Sequence, residues 1–282
     1  DTNDITRDED TSFSLDAIVP NDLSSLSRSF SKSKAGEVGT LTFGFENFNP
    51  IPVDGKIVLT LPSGFDSSQV TVSSISGTTN FGTTTITKSN QIITLTRQSD
   101  GNVVASSTSL SIVLDSLKHP IISGALGTLN YKTTDANDIS IDEGDLAAGS
   151  LDPNVLGQTT KSIVHTTNKA GSVTSLVTTI RQFFNPLTAT DKIVISGFSS
   201  DYVFNQGSTT VCTVQSDSSN VAVSTSTDTS GSNRILTVTL DSGSNIGNGD
   251  VDTVITCNNI LIPRKVTSSV NNIAVKSTDT ND

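Results

Sequence analysis

The chain contains no methionine and no tryptophan, and only two tyrosines, two cysteines and two histidines in 282 residues. The missing initiator Met, with no signal-like start, points to a processed chain or a piece of a longer one. Two cysteines do not make a structural metal site. His119 and His165 lie far apart, and no G-x-S-x-G, H-E-x-x-H or phosphate-cradling glycine loop accompanies them. The expectation is therefore a protein that is not an enzyme. Basic residues are also scarce: 17 Lys and Arg against 28 Asp and Glu give a net charge of −11. No basic patch or stripe appears, which argues against nucleic acid and anionic membrane surfaces as partners. No apolar run approaches the length of a membrane-spanning helix, so membrane insertion is not expected.

What is present is polar and small. Ser and Thr together make up about 30% of the chain, against 33% hydrophobic, 5% aromatic and 16% charged residues. Thr, Val and Ile suit a pleated, half-buried surface, whereas Ser, Asn, Asp and Gly supply turns. Regular apolar alternation separates this chain from a disordered polar one. The fold class is all-β.

A short motif recurs along the chain. Asp1-Thr2-Asn3-Asp4 opens it, Asp279-Thr280-Asn281-Asp282 closes it, and Asp135-Ala136-Asn137-Asp138 sits near the middle. The first copy continues as Ile5-Thr6-Arg7-Asp8-Glu9-Asp10 and the middle copy as Ile139-Ser140-Ile141-Asp142-Glu143-Gly144-Asp145. Further matches occur in the same order. Lys34-Ala35-Gly36-Glu37-Val38 answers to Lys169-Ala170-Gly171-Ser172-Val173, and Asn49-Pro50 with Lys56-Ile57-Val58 answers to Asn185-Pro186 with Lys192-Ile193-Val194. Pro120 answers to Pro263, and Lys132-Thr133-Thr134-Asp135 to Lys276-Ser277-Thr278-Asp279. Ordered matches at separated places indicate an internal duplication.

Each half reads as a series of short strands bounded by turn residues. Leu41, Phe43 and Phe45 alternate with Thr42 and Gly44, and 56–61 stops at Pro62-Ser63-Gly64. Ile93 with Leu95, then Leu110, Ile112 and Leu114, then 126–131, continue the period of two. The second half offers 173–180, 192–195, 211–214, 235–240, 251–255 and 273–276. This pattern predicts two tandem immunoglobulin-like β-sandwiches. The expected boundaries are an N-terminal extension at 1–20, a first sandwich at 21–138, a linker at 139–160 and a second, incomplete sandwich at 161–282. Cys212 and Cys257 both lie in strand-like runs of the second half, which fits a structural disulfide and an oxidising compartment. Two buried thiols are the other reading.

The N-terminal segment alternates: Phe13, Leu15, Ala17 and Val19 share one side, Ser12, Ser14 and Asp16 the other, and Pro20 ends the run. It has the chemistry of a strand that completes another sandwich by β-augmentation. Burying its three larger apolar side chains would contribute on the order of 5–9 kcal/mol before ordering costs. Two other readings stand beside this one. The segment is the first strand of its own domain, or the chain is a slice of a covalent tandem array. Either completion, covalent or not, joins sandwiches end to end.

The two-sandwich layout with a spare N-terminal strand resembles the subunits of extracellular fibrils that assemble by donor-strand exchange. These include glycosylated immunoglobulin-like filaments of microbial surfaces. The resemblance implies Phe13, Leu15, Ala17 and Val19 as the donor strand, a helical homopolymer as the assembly, and extracellular or cell-surface placement. It also implies glycan decoration. No Asn-x-Ser/Thr acceptor occurs, so glycans would be O-linked, on tracts such as Thr83-Thr84-Thr85, Ser106-Ser107-Thr108 and 224–230. The acidic junction is similar to the Asp-x-Asn-Asp linker of cadherins. Asp135, Asn137, Asp138, Asp142, Glu143 and Asp145 are accordingly candidate calcium ligands, against the plainer reading of a solvated acidic linker. The alternative to a filament protomer is a cell-surface adhesin or stalk stiffened by calcium.

Overall fold

The computed structural model describes residues 17–156, 161–181, 183–231, 233–248, 251–265 and 273–279. Phe13 and Leu15 lie outside the described residues. Every regular element among those described is a strand. The protein is all-β, with two compact units of immunoglobulin-like sandwich type. The first holds 17–32, Val38–Lys118 and Leu126–Gly149; the second holds Ser33–Glu37, His119–Ala125 and 150–279.

The first unit contains β1 (Asn21–Asp22), β2 (Ser24–Phe30), β3 (Val38–Glu46), β4 (Lys56–Thr60), β5 (Thr71–Ser76), β6 (Thr84–Ser89), β7 (Ile92–Arg97) and β8 (Ser109–Lys118). After the short β9 (Gly124–Ala125) come β10 (Thr128–Thr134) and β11 (Ser140–Ala147). One sheet runs β1-β11-β10-β4-β7-β6 and the other β2-β3-β8-β5. The alternation legible in the sequence is what fills the space between them. Leu41, Phe43 and Phe45 of β3, Ile57 and Leu59 of β4, and Ile112 and Leu114 of β8 are all buried. A bulge in β8, with Ser116 at φ 62°, shifts the phase of that strand so that Leu117 is buried as well.

The second unit pairs the short β12 (Ser150–Leu151) with β9. It continues with β13 (Lys161–His165), β14 (Val173–Arg181), β15 (Lys192–Ser199), β16 (Cys212–Ser216) and β17 (Ser219–Val221). Next come β18 (Val223–Asp228), β19 (Asn233–Leu240), β20 (Asp252–Leu261) and β21 (Ala274–Thr278). Its sheets run β13-β14-β20-β16-β17 and β18-β19-β15-β21. Leu176, Ile180, Ile193, Ile195, Leu236, Val238 and Ile255 form the centre of its core.

The two units share one plan over eight strands each, with β17 added beyond β16 in the second. The order β2-β3-β8-β5 is matched by β13-β14-β20-β16, and β6-β7-β4-β10 by β18-β19-β15-β21. Register agrees too: Lys56 lies between Thr96 and Thr134, and Lys192 between Thr239 and Thr278. The bulge at Ser116 has its counterpart at Asn259, φ 58°, just before buried Ile260. The other departure lies beyond β10. That strand pairs with β11, and β11 with β1, whereas no strand among the described residues pairs with the outer edge of β21.

The expected linker at 139–160 is corrected by this arrangement. Ser140–Ala147 is a full strand of the first unit, antiparallel to β10 from Thr128↔Ala147 to Thr134↔Ser140. Backbone pairing against β10, rather than apolar alternation, makes it a strand.

Candidate functional site

In the first unit, β11 closes the flank where the two sheets meet. Asp142 on this strand is fully buried. Its Oδ2 accepts from the main-chain N–H of Asn49 (3.0 Å) and its Oδ1 from the Asn49 side-chain amide (2.8 Å). The main-chain N–H of Asp142 in turn donates to Thr133 Oγ1 (3.1 Å). A buried carboxylate is tolerable only when its oxygens are served by donors, and here both are. Further along, Arg28 Nε of β2 donates to the Ala147 carbonyl (2.9 Å), tying β11 to the opposite sheet. Gly144 leaves room for Leu26: a Cβ at Gly144 would stand 3.0 Å from the Leu26 side chain. Under this cover Leu129, Tyr131 and Thr133 of β10 are buried.

The second unit has the same flank without a covering strand among the described residues. Asn185 stands where Asn49 stands in the sequence repeat, but its side-chain amide donates to the Ile121 carbonyl (3.0 Å). Ile273, Val275 and Ser277, which share a face at the positions of Leu129, Tyr131 and Thr133, are only half-buried. Ile163 of β13, Ile273 and Val275 pack against the core without being enclosed by it. Between the edge strands β13 and β21 opens a cleft of about 1560 Å³, lined by Ile163, Ile180, Phe183, Leu187, Tyr202 and Val275 among others. An apolar floor beside a strand edge that is unpaired among the described residues offers both backbone partners and surface to bury. This cleft was not singled out by the sequence, since the residues flooring it read as ordinary core positions.

On the other side of β20, Cys212 and Cys257 face each other in register and form a disulfide (S–S 2.07 Å). His165 of β13 stacks on Tyr202 (ring centroids 5.8 Å) at the cleft wall. Burial pushes its imidazole below the ordinary value. His119 is buried as well, and its Nδ1 donates to the Lys34 carbonyl (3.2 Å). Burial again lowers its pKa.

The candidate donor residues that are described, Ala17 and Val19, belong to no strand, and Val19 is 77% exposed. Ile18 between them is fully exposed. The candidate calcium ligands do not converge. Asp135 Oδ1 accepts from the main-chain N–H groups of Asn137 and Ile139, forming a turn. Asp138 pairs with Lys56 (2.6 Å), Glu143 with Lys132 (3.3 Å), Asp145 accepts from Asn130 (2.7 Å), and Asp142 serves Asn49. Period-two geometry sends neighbouring acidic side chains to opposite faces of β11, which is why a spacing that suits a loop fails here. No group of three or more His, Cys, Asp or Glu among the described residues could hold a metal ion. Among the described residues no helix is long and apolar enough to cross a membrane.

No protein-family model and no curated protein matches the chain. Among solved structures it is similar to the C-terminal domain of the Streptococcus pyogenes antigen I/II-family protein AspA, at 8% identity and a TM-score of 0.32. That match covers 91% of this chain and 95% of the other. It is also similar to a partial N-terminal region of the enterococcal surface protein (10% identity, TM-score 0.33, 92% and 88% covered). The Streptococcus agalactiae AgI/II polypeptide BspA C-terminal domain matches at 11% identity and a TM-score of 0.30, with 81% and 86% covered. Likenesses at this level assign neither partner nor activity.

Proposed function

We propose that the chain is a structural protein of the extracellular space, whose sandwiches are joined end to end by a strand added to the open edge of β21. In this reading it is neither an enzyme nor a cofactor carrier, and its principal partner is another copy of itself. The observation that carries the reading is the difference between the two flanks. β10 is covered by β11, while the half-buried Ile273, and Val275 and Ser277 of β21, have no covering strand among the described residues. The exposed Ile18 and Val19, at the end of the alternating segment 12–19, supply the complementary side. The disulfide fits an oxidising, extracellular setting. Electron microscopy of the concentrated full-length chain tests this: filaments or end-to-end chains of sandwiches are expected, and a uniform field of single two-unit particles would reject polymerisation.

A second reading is favoured by β11 itself, which completes the first unit from the same chain. A covalent tandem array built this way would be a cell-surface stalk or adhesin, with the edge of β21 covered by residues that continue the chain. The architecture is then the same, and the protein would remain a single particle at all concentrations.

A further inference from the structure

The middle junction shows how an added strand is held in register, and the N-terminal segment carries the same elements. Aligned on the repeated tetrapeptide, Asp8-Glu9 falls on Asp142-Glu143. Asp142 is the residue whose two oxygens are taken by Asn49, and Asn49-Pro50 recurs as Asn185-Pro186 beside the open cleft. Glu143 pairs with Lys132, which recurs as Lys276 on β21. Beyond this point the interval from Asp8 to Pro20 is one residue longer than that from Asp142 to Pro153. A single-residue bulge absorbs that difference and reverses the facing of the residues after it. Phe13 then takes the place of Leu146, and Leu15 that of the buried Ala148.

We infer that Asp8 of one copy is the register clamp of the added strand, accepting from the main-chain N–H of Asn185 in a second copy and drawing the Asn185 side-chain amide away from the Ile121 and Ala35 carbonyls. The inference rests on the strand-addition reading and specifies it. In a sheet, a slip of one residue turns every side chain to the opposite face, so a polar clamp that tolerates a single register is worth more than another apolar contact. It also selects the partner. A strand lacking a carboxylate at this position would leave the main-chain N–H of Asn185 without an acceptor once the cleft is closed, whereas its side-chain amide already donates to the Ile121 (3.0 Å) and Ala35 (3.4 Å) carbonyls.

The test measures the concentration for half-maximal assembly of the full-length chain by sedimentation velocity, for four variants beside the wild type. Asp8→Asn exchanges charge-assisted bonds for weaker neutral ones and should raise that concentration roughly tenfold, while Asn185→Asp sets two carboxylates opposite one another and should raise it roughly ten- to hundredfold. The double variant again sets a donor against each acceptor and should recover most of the loss. Phe13→Asp should abolish assembly by putting a charge into the cleft. If Phe13→Asp abolishes assembly but Asp8→Asn assembles like the wild type, the clamp is overturned while strand addition stands. If the double variant is no better than either single one, the pairing of Asp8 with Asn185 is overturned. A wild-type chain that stays monomeric at every concentration overturns clamp and strand addition together, whether the edge is covered by its own N-terminus or by a covalent continuation.

Discussion

Asn49 and Asp142, 93 residues apart in sequence, are joined by two hydrogen bonds that use both carboxylate oxygens of a fully buried side chain. One partner precedes β4 and the other lies in β11, so the pair pins the closing strand of the first unit to the loop that feeds β4, on the far side of β10.

Removing Asp142 leaves the donors of the half-buried Asn49 without their acceptor. Asp142→Ala should lower the stability of the first unit by about 1–3 kcal/mol. The loss should appear as a lower denaturant midpoint for the first of two unfolding transitions, with the second transition unmoved. An Asp142→Ala chain of wild-type stability would mean that β11 is held by backbone pairing alone.

The disulfide belongs to the second unit only, and its cysteines are separated by 45 residues. Opening it restores chain entropy to the unfolded state, at a cost of about 4 kcal/mol for a loop of this length. Adding reductant should therefore lower the melting temperature of the second unit while leaving the first untouched. Differential scanning calorimetry with and without reductant reads both.

Acidification should act on the same unit. Both His165 and His119 have imidazoles held below their ordinary pKa by burial. The unfolded chain binds protons at higher pH than the folded one, so stability is fully present above the unfolded value of about 6.5 and declines as pH falls through the folded values. Asp66, Asp100 and Asp228 have carboxyls lowered by hydrogen bonds and contribute only at more acidic pH. Chemical denaturation between about pH 7.5 and 5 should show the second unit losing stability, and His165→Phe should flatten part of that slope.

The alternating strands were legible because each carries its apolar residues on one face. Leu41-Phe43-Phe45 and Ile193-Ile195 are read from the sequence as they lie in the sandwich. β11 was not legible, because its inward face presents Asp142 and Gly144, and only the partners Asn49 and Leu26 explain why these residues belong there. Arg97 was hidden for a related reason. It continues the inward series of Ile93 and Leu95 and is 2% exposed, its guanidinium donating to the carbonyls of Ile51, Pro52, Phe81 and Asn102. The second unit places buried Leu240 at the corresponding position, beside Thr239 as Arg97 is beside Thr96. The acidic junction invited a calcium reading because spacing alone does not reveal which carboxylates cap turns and which pair with lysines. The Cys pair was legible because both residues fall in runs that become adjacent strands.

The central claim is that the edge of β21 receives residues from the N-terminal segment of another copy. Lys132 and Glu143 are direct partners across β10 and β11, and their counterparts in the repeat are Lys276 and Glu9. The most direct measurement mixes one chain carrying Glu9→Cys with a differently tagged chain carrying Lys276→Cys, under mild oxidation, and maps the products by mass spectrometry. The account predicts a disulfide joining position 9 of one chain to position 276 of the other, absent when Phe13→Asp is added to the first chain. Recovery of both chains with no such link, under conditions where each is folded, would contradict it.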